Sequence, residues 1–335
     1  MKKLMLLTLL STFIFYSCSD DDSCTTCKED NGNLVTPDLS VTLSDTQSPM
    51  TGVLEAYPCQ AGGAIYYGNY IEGKLTPFPG MYYLQNGEIY GDKNREISLP
   101  VGTYNMIYWG TPKYEEPIYS NPVVVDPQIT IGGDLSQQYF GLRKVSADTT
   151  YYPVFDLVYT VKPAHIGTEE LSAAMQRVVA GLKVIVKNKN NGILSSSIAG
   201  MEVHVGGIAE KLNMYTAAPV NQTKTVSFPL VLSADGTQMS NATVMLFPSS
   251  AKPMFKLIIK LKNGNTKVYQ QPLNAPLKAN NKLTLTLTLG DIFSEETSGG
   301  FTIDNWQEEN ETIDIPTLES VSYTHLRAHE TRHDL

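Results

Sequence analysis

The chain has 335 residues, of which 18% are charged and 9% are aromatic, and its formal net charge is −9. This acidic balance excludes a nucleic-acid partner, which would require a basic face. The frequent Tyr, Thr, Val, Ile, Asn and Gly favour strands and turns over helices, and the length is sufficient for two ordinary domains.

The amino end has the pattern of an export signal with a lipidation site. Two lysines precede an apolar run, Leu4–Tyr16, that is too short to span a bilayer. The serine and Cys18 that follow resemble the lipobox of bacterial lipoproteins, although Phe15 stands where leucine is usual. We expect residues 1–17 to be a cleaved signal peptide and lipid on Cys18 to hold the chain on the outer membrane. The alternative is an ordinary secreted protein with a chance cysteine.

Residues 18–38 are polar and predict a flexible tether. The Ser-Asp-Asp-Asp after Cys18 resembles the acidic signal that sends some lipoproteins to the outer surface. Cys24 and Cys27 form a C-x-x-C pair, but no helix start is predicted there, so a local disulfide or two idle thiols are favoured over a redox site. With Cys18 lipidated, three cysteines remain, which excludes a disulfide framework, and Cys59 is expected in the core.

Residues 39–142 are predicted to form a first antiparallel β-sandwich. Short apolar stretches recur between clusters of Gly, Pro and Asn, which is typical of that fold. Asn86-Gly87 is expected to form a type I′ hairpin turn, because both of its residues must adopt positive φ. The predicted strands are 39–43, 52–57, 64–70, 80–84, 96–99, 104–109, 123–125 and 128–131.

Fifteen of the 19 tyrosines lie between residues 57 and 159. Adjacent residues of a strand point to opposite faces, so one member of each Tyr-Tyr pair should be at least partly exposed. Such rings could stack on sugars or contact a protein partner such as a host surface protein. The alternative is ordinary strand packing with the hydroxyl groups at the rim. The candidates for a glycan or partner surface are Tyr66, Tyr67, Tyr82, Tyr83 and Trp109.

Residues 143–318 are predicted to form a second β-sandwich. Leu171, Met175 and Val178 recur at helical spacing after the N-cap candidate Thr168, which predicts a helical turn or, alternatively, an extended lead-in to the next strand. Leucine and threonine alternate up to Leu289, so the leucines should be buried and the threonines solvent-facing. Asn263-Gly264 predicts a hairpin turn. The predicted strands are 154–161, 182–186, 200–205, 224–232, 242–247, 254–261, 266–270, 282–289, 301–306 and 312–315.

The sequence contains no recognisable catalytic constellation. It has no P-loop, no dinucleotide fingerprint and no G-x-S-x-G. Ser249 and Lys252 match S-x-x-K but lack a helix start and the partner elements of penicillin-recognising enzymes. His204 is expected at a solvent-facing rim. We therefore expect no enzyme, no cofactor and no metal, unless His165 or His204 meets a carboxylate in a cleft.

Residues 319–335 are set aside as a non-native tail. Val321–Thr331 match one reading frame of a sequencing adapter residue for residue, so residues 320–335 resemble a translated adapter. This tail carries His325, His329 and His333 at i, i+4 and i+8. Their spacing would otherwise suggest a metal site on one helix face.

Five features in order resemble the fimbrillin-type lipoproteins, a family of fimbrial subunits and fimbrillin-associated anchor proteins of anaerobic Gram-negative bacteria. The resemblance implies two tandem transthyretin-like antiparallel β-sandwiches. It also implies a structural role in fimbriae and cell adhesion, with assembly onto other fimbrial subunits by β-strand exchange. The features are the lipobox with its acidic tether, residues 99–109, residues 176–186, the threonine-leucine strand 283–289 and the terminal stretch 302–306.

The positions of the first basic residues indicate which role within that family suits this chain. Polymerising subunits of the family are cut after a basic residue, usually arginine, in an early loop or strand of the first domain. Here no Lys or Arg lies between Lys28 and Lys74, and Arg95 is the first arginine. This favours a member that keeps its lipid, an anchor at the fimbrial base or an accessory subunit. The alternative function is a glycan-binding surface lipoprotein.

Overall fold

The computed structural model describes residues 33–91, 95–113, 118–145, 148–188 and 191–289, and the backbone of residues 308–314. Within them the chain is almost entirely β-structure, with one short 3₁₀ helix at Leu135–Gln137. The all-β fold class with two β-sandwich domains is confirmed. The strands are β1 (Leu34–Val35), β2 (Leu39–Leu43), β3 (Ser48–Pro49), β4 (Gly52–Gln60), β5 (Asn69–Ile71), β6 (Lys74–Thr76), β7 (Gly80–Gln85), β8 (Glu88–Ile89), β9 (Leu99–Pro100), β10 (Gly102–Pro112), β11 (Val124–Val125), β12 (Tyr139–Leu142), β13 (Val158–Ile166), β14 (Leu171–Arg177), β15 (Ala180–Asn188), β16 (Ile198–Asn213), β17 (Pro219–Leu232), β18 (Gln238–Ser240), β19 (Val244–Leu246), β20 (Met254–Leu261), β21 (Thr266–Pro272), β22 (Asn281–Leu289) and β23 (Glu308–Asp314).

The first sandwich has the strand order β3-β2-β14-β13-β10-β4-β7-β8. β13 pairs with β10 over its whole length but with β14 at only two positions, so β14 and β2 leave the plane of β13 and form the second layer. Buried residues of both layers meet in one cluster, including Val41, Met175, Leu54 and Met106. β2 and β14 run parallel, so this sandwich is not purely antiparallel as the resemblance implied.

β14 replaces the helical turn predicted after Ile166. Leu171, Ala173, Met175 and Arg177 are buried and the residues between them are exposed. Two apolar residues four apart fit both a helix and a strand, and here pairing with β2 selects the strand. The helical prediction was therefore wrong, and the extended alternative describes the segment.

The second sandwich combines a layer around β16, β17 and β20 with a layer around β15 and β22. β15 and β22 are parallel neighbours. Leu285, Leu287 and Leu289 are buried, whereas the intervening threonines are only half-buried. The alternation predicted for β22 is confirmed, because period-two patterning survives pairing with any neighbour.

Both predicted hairpin turns are confirmed. Asn86 and Gly87 connect β7 to β8 with φ of 53° and 81°, as a type I′ turn requires. Asn263 and Gly264 connect β20 to β21, with positive φ only at Gly264.

The strand pairing crosses the domain boundary predicted at residue 142. β12, before that boundary, pairs with β16 of the second sandwich, whereas β13 and β14, after it, complete the first. Gly and Pro clusters mark where strands end but not which sheet a strand joins, so the boundary required correction. Residues 128–131, predicted as a strand, form a loop. The predicted strand 301–306 lies outside the described residues.

Candidate functional surfaces

The cysteines fall into two groups. Cys18, Cys24 and Cys27 lie outside the described residues, so the lipid anchor stays a prediction. Cys59 is buried and free, which confirms its place in the core. Burial raises the pKa of the Cys59 thiol to about 12, so it is not a reactive thiolate near neutral pH. Among the described residues, no helix has the length and apolar character needed to cross a bilayer.

The five candidates for a glycan or partner surface do not share one exposed face. Tyr66, Tyr82 and Trp109 are buried, with exposed fractions of 0%, 1% and 2%. Tyr67 is half-buried, with its ring edge-on to Tyr104 at 5.2 Å between centroids. Only Tyr83 is exposed. Alternation correctly placed one tyrosine of each pair outward, but it could not show that other parts of the chain cover some of the outward residues.

Trp109 joins the two sandwiches. Its indole Nε1 donates a hydrogen bond of 2.9 Å to the carbonyl oxygen of Met214, in the loop between β16 and β17. Its ring centroid lies 4.5 Å from that of Phe140 and 4.9 Å from that of Tyr159. The same buried cluster contains residues of both sandwiches. Trp109 therefore holds the second sandwich against the first and is not available to a sugar.

Three further polar residues hold the loop between β16 and β17 on the first sheet. Asn105, which is buried, donates through Nδ2 to the hydroxyl of Tyr215 at 3.1 Å. The Tyr159 hydroxyl donates to the Tyr215 carbonyl oxygen. Asn213 shapes the loop by accepting from the backbone N–H groups of Tyr215 and Thr216. Sequence reasoning missed this interface. Its one signal is a polar Asn105 within an apolar strand.

Exposed aromatic residues occur elsewhere, at the outer end of the first sandwich. Phe78, Tyr83 and Tyr90 are 54%, 43% and 65% exposed. The backbone N–H of Tyr90 donates to the Tyr83 carbonyl oxygen at 2.7 Å, so the two residues face each other across the β7–β8 hairpin. The Arg95 guanidinium lies 5.6 Å above the Phe78 ring and donates to the sulfur of Met81. We call these five residues the β7–β8 aromatic surface.

His204 has a carboxylate neighbour, but the pair does not have the features of a catalytic base. Its Nε2 lies 2.9 Å from Oε1 of Glu202, whose Oε2 accepts from Lys260 at 2.8 Å. Partial burial raises the pKa of Glu202, but the hydrogen bonds from Lys260 and His204 outweigh it and lower the pKa overall. A carboxylate that itself acts as the general base at neutral pH needs a raised pKa, so Glu202 does not fit that role. The three side chains sit on neighbouring strands, β16 and β20, as a surface charge cluster.

The other residues considered for catalysis are either engaged in structural hydrogen bonds or exposed on the surface. The Ser249 hydroxyl donates to the Ser250 carbonyl oxygen and accepts from the backbone N–H of Leu277, so it caps a loop. Lys252 and His165 are exposed. Across the described ranges, no group of three or more His, Cys, Asp and Glu side chains is arranged to hold a metal ion. The histidines of the tail lie outside these ranges.

A family model described as Mfa2, fimbrillin-A associated anchor proteins Mfa1 and Mfa2, matches residues 33–312. The chain belongs to this family. The resemblance inferred from the sequence is therefore confirmed, and a fimbrial accessory or adhesin-like protein of the cell surface follows from it. A search of curated proteins gave no significant match.

Solved structures with a similar chain trace come from Porphyromonas and Bacteroides species. The fimbrial anchor protein Mfa2 of Porphyromonas gingivalis is 12% identical, with a TM-score of 0.49, and the match covers 82% of this chain and 98% of that chain. A candidate cell adhesion protein of Bacteroides uniformis is 13% identical, with a TM-score of 0.47, covering 84% and 98%. A candidate polysaccharide-binding protein of Bacteroides thetaiotaomicron is 11% identical, with a TM-score of 0.49, covering 76% and 91%.

Proposed function

We propose that this protein is a non-enzymatic fimbrial anchor or accessory subunit that remains on the outer membrane through lipid on Cys18 and binds other fimbrial subunits by β-strand exchange during cell adhesion. The observation that carries the proposal is the match of residues 33–312 to a family of fimbrial anchor proteins. The lipobox, the acidic tether and the missing catalytic motifs of the sequence agree with it.

The surroundings of Arg95 support retention of the amino-terminal segment. Arg95 is the first arginine of the chain and is half-buried. Its carbonyl oxygen accepts from the backbone N–H of Met81 at 2.7 Å, and its side chain contacts Phe78 and Met81. A protease must bind an extended, accessible backbone around its cleavage site. Arg95, the first arginine, is therefore a poor cleavage site, which favours retention of the segment that carries the lipid.

β2 has an edge that is suited to exchange. It pairs with β14 along its length, but on its other side β3 reaches only Thr42 and Leu43. The outer edge at Leu39 and Ser40 therefore makes no strand pairing among the described residues, although β8 lies near β2. An incoming strand could add to this edge, or replace β2 beside β14, with backbone hydrogen bonds supplying affinity.

Removing the lipidated cysteine tests the anchor. Cys18→Ala should move most of the protein from the membrane fraction to the soluble or secreted fraction and abolish labelling with radioactive palmitate, because no acyl chain would then hold it. Cys24→Ala, six residues further on, is the matched control and should leave fractionation unchanged. Persistence of Cys18→Ala in membranes would contradict the anchor.

Cross-linking in the host tests the fimbrial partner. A photoreactive residue in place of Ser40, whose side chain is exposed on β2, should capture a fimbrial subunit in sheared fimbriae. The same residue in place of Thr266, on the exposed part of β21, is the control. If the protein is missing from every fimbrial preparation, the proposed function is wrong. Capture only from position 266 would reject β2 as the exchanging edge.

A further inference from the structure

We propose that the β7–β8 aromatic surface is a binding site for a neutral oligosaccharide. This inference does not rest on the proposed fimbrial function. Of the five candidates from the sequence, only Tyr83 belongs to this surface, because the other four are buried or half-buried. The remaining members of the surface are Phe78, Met81, Tyr90 and Arg95.

The rings of Tyr83 and Tyr90 lie on the same face of the hairpin. The register pairs Leu84 with Ile89 and Gln85 with Glu88, which sets Tyr83 opposite Tyr90. Directly opposed residues of an antiparallel pair have Cβ atoms about 5 Å apart on one face. The two side chains therefore start from neighbouring positions on that face.

The surface continues from Tyr83 along β7. Met81 lies two residues before Tyr83 and so shares its face. The Arg95 guanidinium contacts both the sulfur of Met81 and the ring of Phe78, which extends the surface to Phe78. Isolated exposed apolar residues are normal on a protein, whereas a contiguous group of them marks an interaction site.

Exposure of these rings contrasts with the rest of the first sandwich. Folding normally removes large aromatic side chains from water, since each one buried adds stability. The chain buries six other aromatic residues of the first domain but leaves this group in solvent. The buried set is Tyr57, Tyr66, Tyr82, Tyr104, Tyr108 and Trp109.

The polar neighbours of the rings favour a sugar. Gln85 and Glu88 are exposed, lie opposite each other and share the face of Tyr83 and Tyr90, one step nearer the turn. Aromatic faces stack against the C–H faces of sugar rings. Amide and carboxylate groups beside them can hydrogen-bond to the hydroxyl groups. A protein partner that adds a strand is disfavoured, since the β8 edge has only two residues.

The charges around the rings favour a neutral sugar over an acidic one. Glu88 is exposed on this face and carries the negative charge nearest the rings. Glu55 lies opposite Met81 on the same face, but it is half-buried, burial raises its pKa, and it accepts a hydrogen bond from the Tyr57 hydroxyl. The one neighbouring guanidinium, Arg95, already packs on Phe78 and Met81. The whole chain has a net charge of −9. Among the described residues around the rings, no free cation is directed at this surface, so a uronic or sialic acid would meet repulsion there.

An array of neutral and acidic oligosaccharides, followed by calorimetry with the purified full-length protein, tests the proposal. Binding should be confined to neutral oligosaccharides. Tyr83→Ala and Tyr90→Ala should each weaken it by about tenfold or more, as expected for the loss of one stacked ring. Ile193→Ala removes a residue that is 73% exposed in the second sandwich and should leave the affinity unchanged. In thermal unfolding, both tyrosine variants should have the same melting temperature as the parent protein, which shows that they are folded.

Three outcomes would overturn the proposal. They are no binding of any neutral oligosaccharide at millimolar concentration, binding that both tyrosine variants retain in full, and binding confined to acidic sugars. None of them affects the fractionation of Cys18→Ala or the fimbrial cross-links, so the two proposals fail separately.

Discussion

Replacing Arg177 with methionine is expected to lower the free energy of unfolding by about 3–5 kcal/mol, the usual cost of removing one partner of a buried ion pair. Arg177 is 5% exposed and Asp156 is 2% exposed. The guanidinium donates to both carboxylate oxygens of Asp156, at 2.9 and 3.2 Å, and to Asp45 at 2.8 Å. Without Arg177 the buried Asp156 carboxylate would either keep its charge without this countercharge or take up a proton, and both states cost stability.

The position of this ion network explains the size of the effect. Arg177 ends β14, Asp156 precedes β13 and Asp45 follows β2. The ion network therefore connects the two layers of the first sandwich at the point where the pairing of β13 with β14 ends. The bidentate geometry suits Arg but not Lys, so Arg177→Lys should also destabilise the fold, by less than Arg177→Met.

Urea unfolding followed by circular dichroism measures the loss. Lys260→Met removes an ion pair in which the lysine side chain is 57% exposed, and it should cost at most about 1 kcal/mol. Combining Arg177→Met with Asp156→Asn should recover part of the lost stability, because the amide carries no charge. A cost for Arg177→Met no larger than that of Lys260→Met would show that the network contributes nothing beyond a surface pair.

Much of the fold could be predicted from local pattern. β20 was predicted at its observed bounds, since Phe255, Leu257, Ile259 and Leu261 alternate and the Asn263-Gly264 turn follows directly. β14 was not, because Leu171 and Met175 satisfy helical and strand spacing together. The parallel pairing of β14 with β2, about 130 residues earlier in the chain, decides between them. No local pattern records such a distant neighbour.

The β7–β8 aromatic surface could also be predicted only in part from local pattern. Alternation predicted that one of Tyr82 and Tyr83 points outward but did not say which. The register set by the Asn86-Gly87 turn would also have placed Tyr83 opposite Tyr90. Phe78 precedes β7 in a loop and gives no periodic signal. Trp109 appeared to be a surface candidate because its cover comes from Met214, 105 residues further along the chain. Exposure depends on such distant contacts, and the sequence does not state them.

Trp109→Ala is expected to destabilise the protein by about 3–5 kcal/mol, the usual cost of truncating a buried tryptophan. The change would leave a cavity beside Phe140 and Tyr159 and would remove the hydrogen bond to the Met214 carbonyl oxygen. Trp109→Phe keeps most of the ring packing but leaves that carbonyl without its donor. It should cost about 1–3 kcal/mol, the penalty for a buried polar group that loses its partner.

Tyr83→Ala is the matched control, because the two aromatic residues belong to different surfaces. Substitution of an exposed residue away from the core usually changes stability by less than about 0.5 kcal/mol. Tyr83→Ala should therefore have the same urea midpoint as the parent, whereas Trp109→Ala should unfold at a lower urea concentration. Sugar affinity should respond in the opposite way, measured under conditions in which Trp109→Phe is folded. Tyr83→Ala should bind the sugar more weakly than the parent, and Trp109→Phe should bind it equally well. Loss of sugar affinity in folded Trp109→Phe would instead place Trp109 at the ligand, and its role between the sandwiches would have to be abandoned.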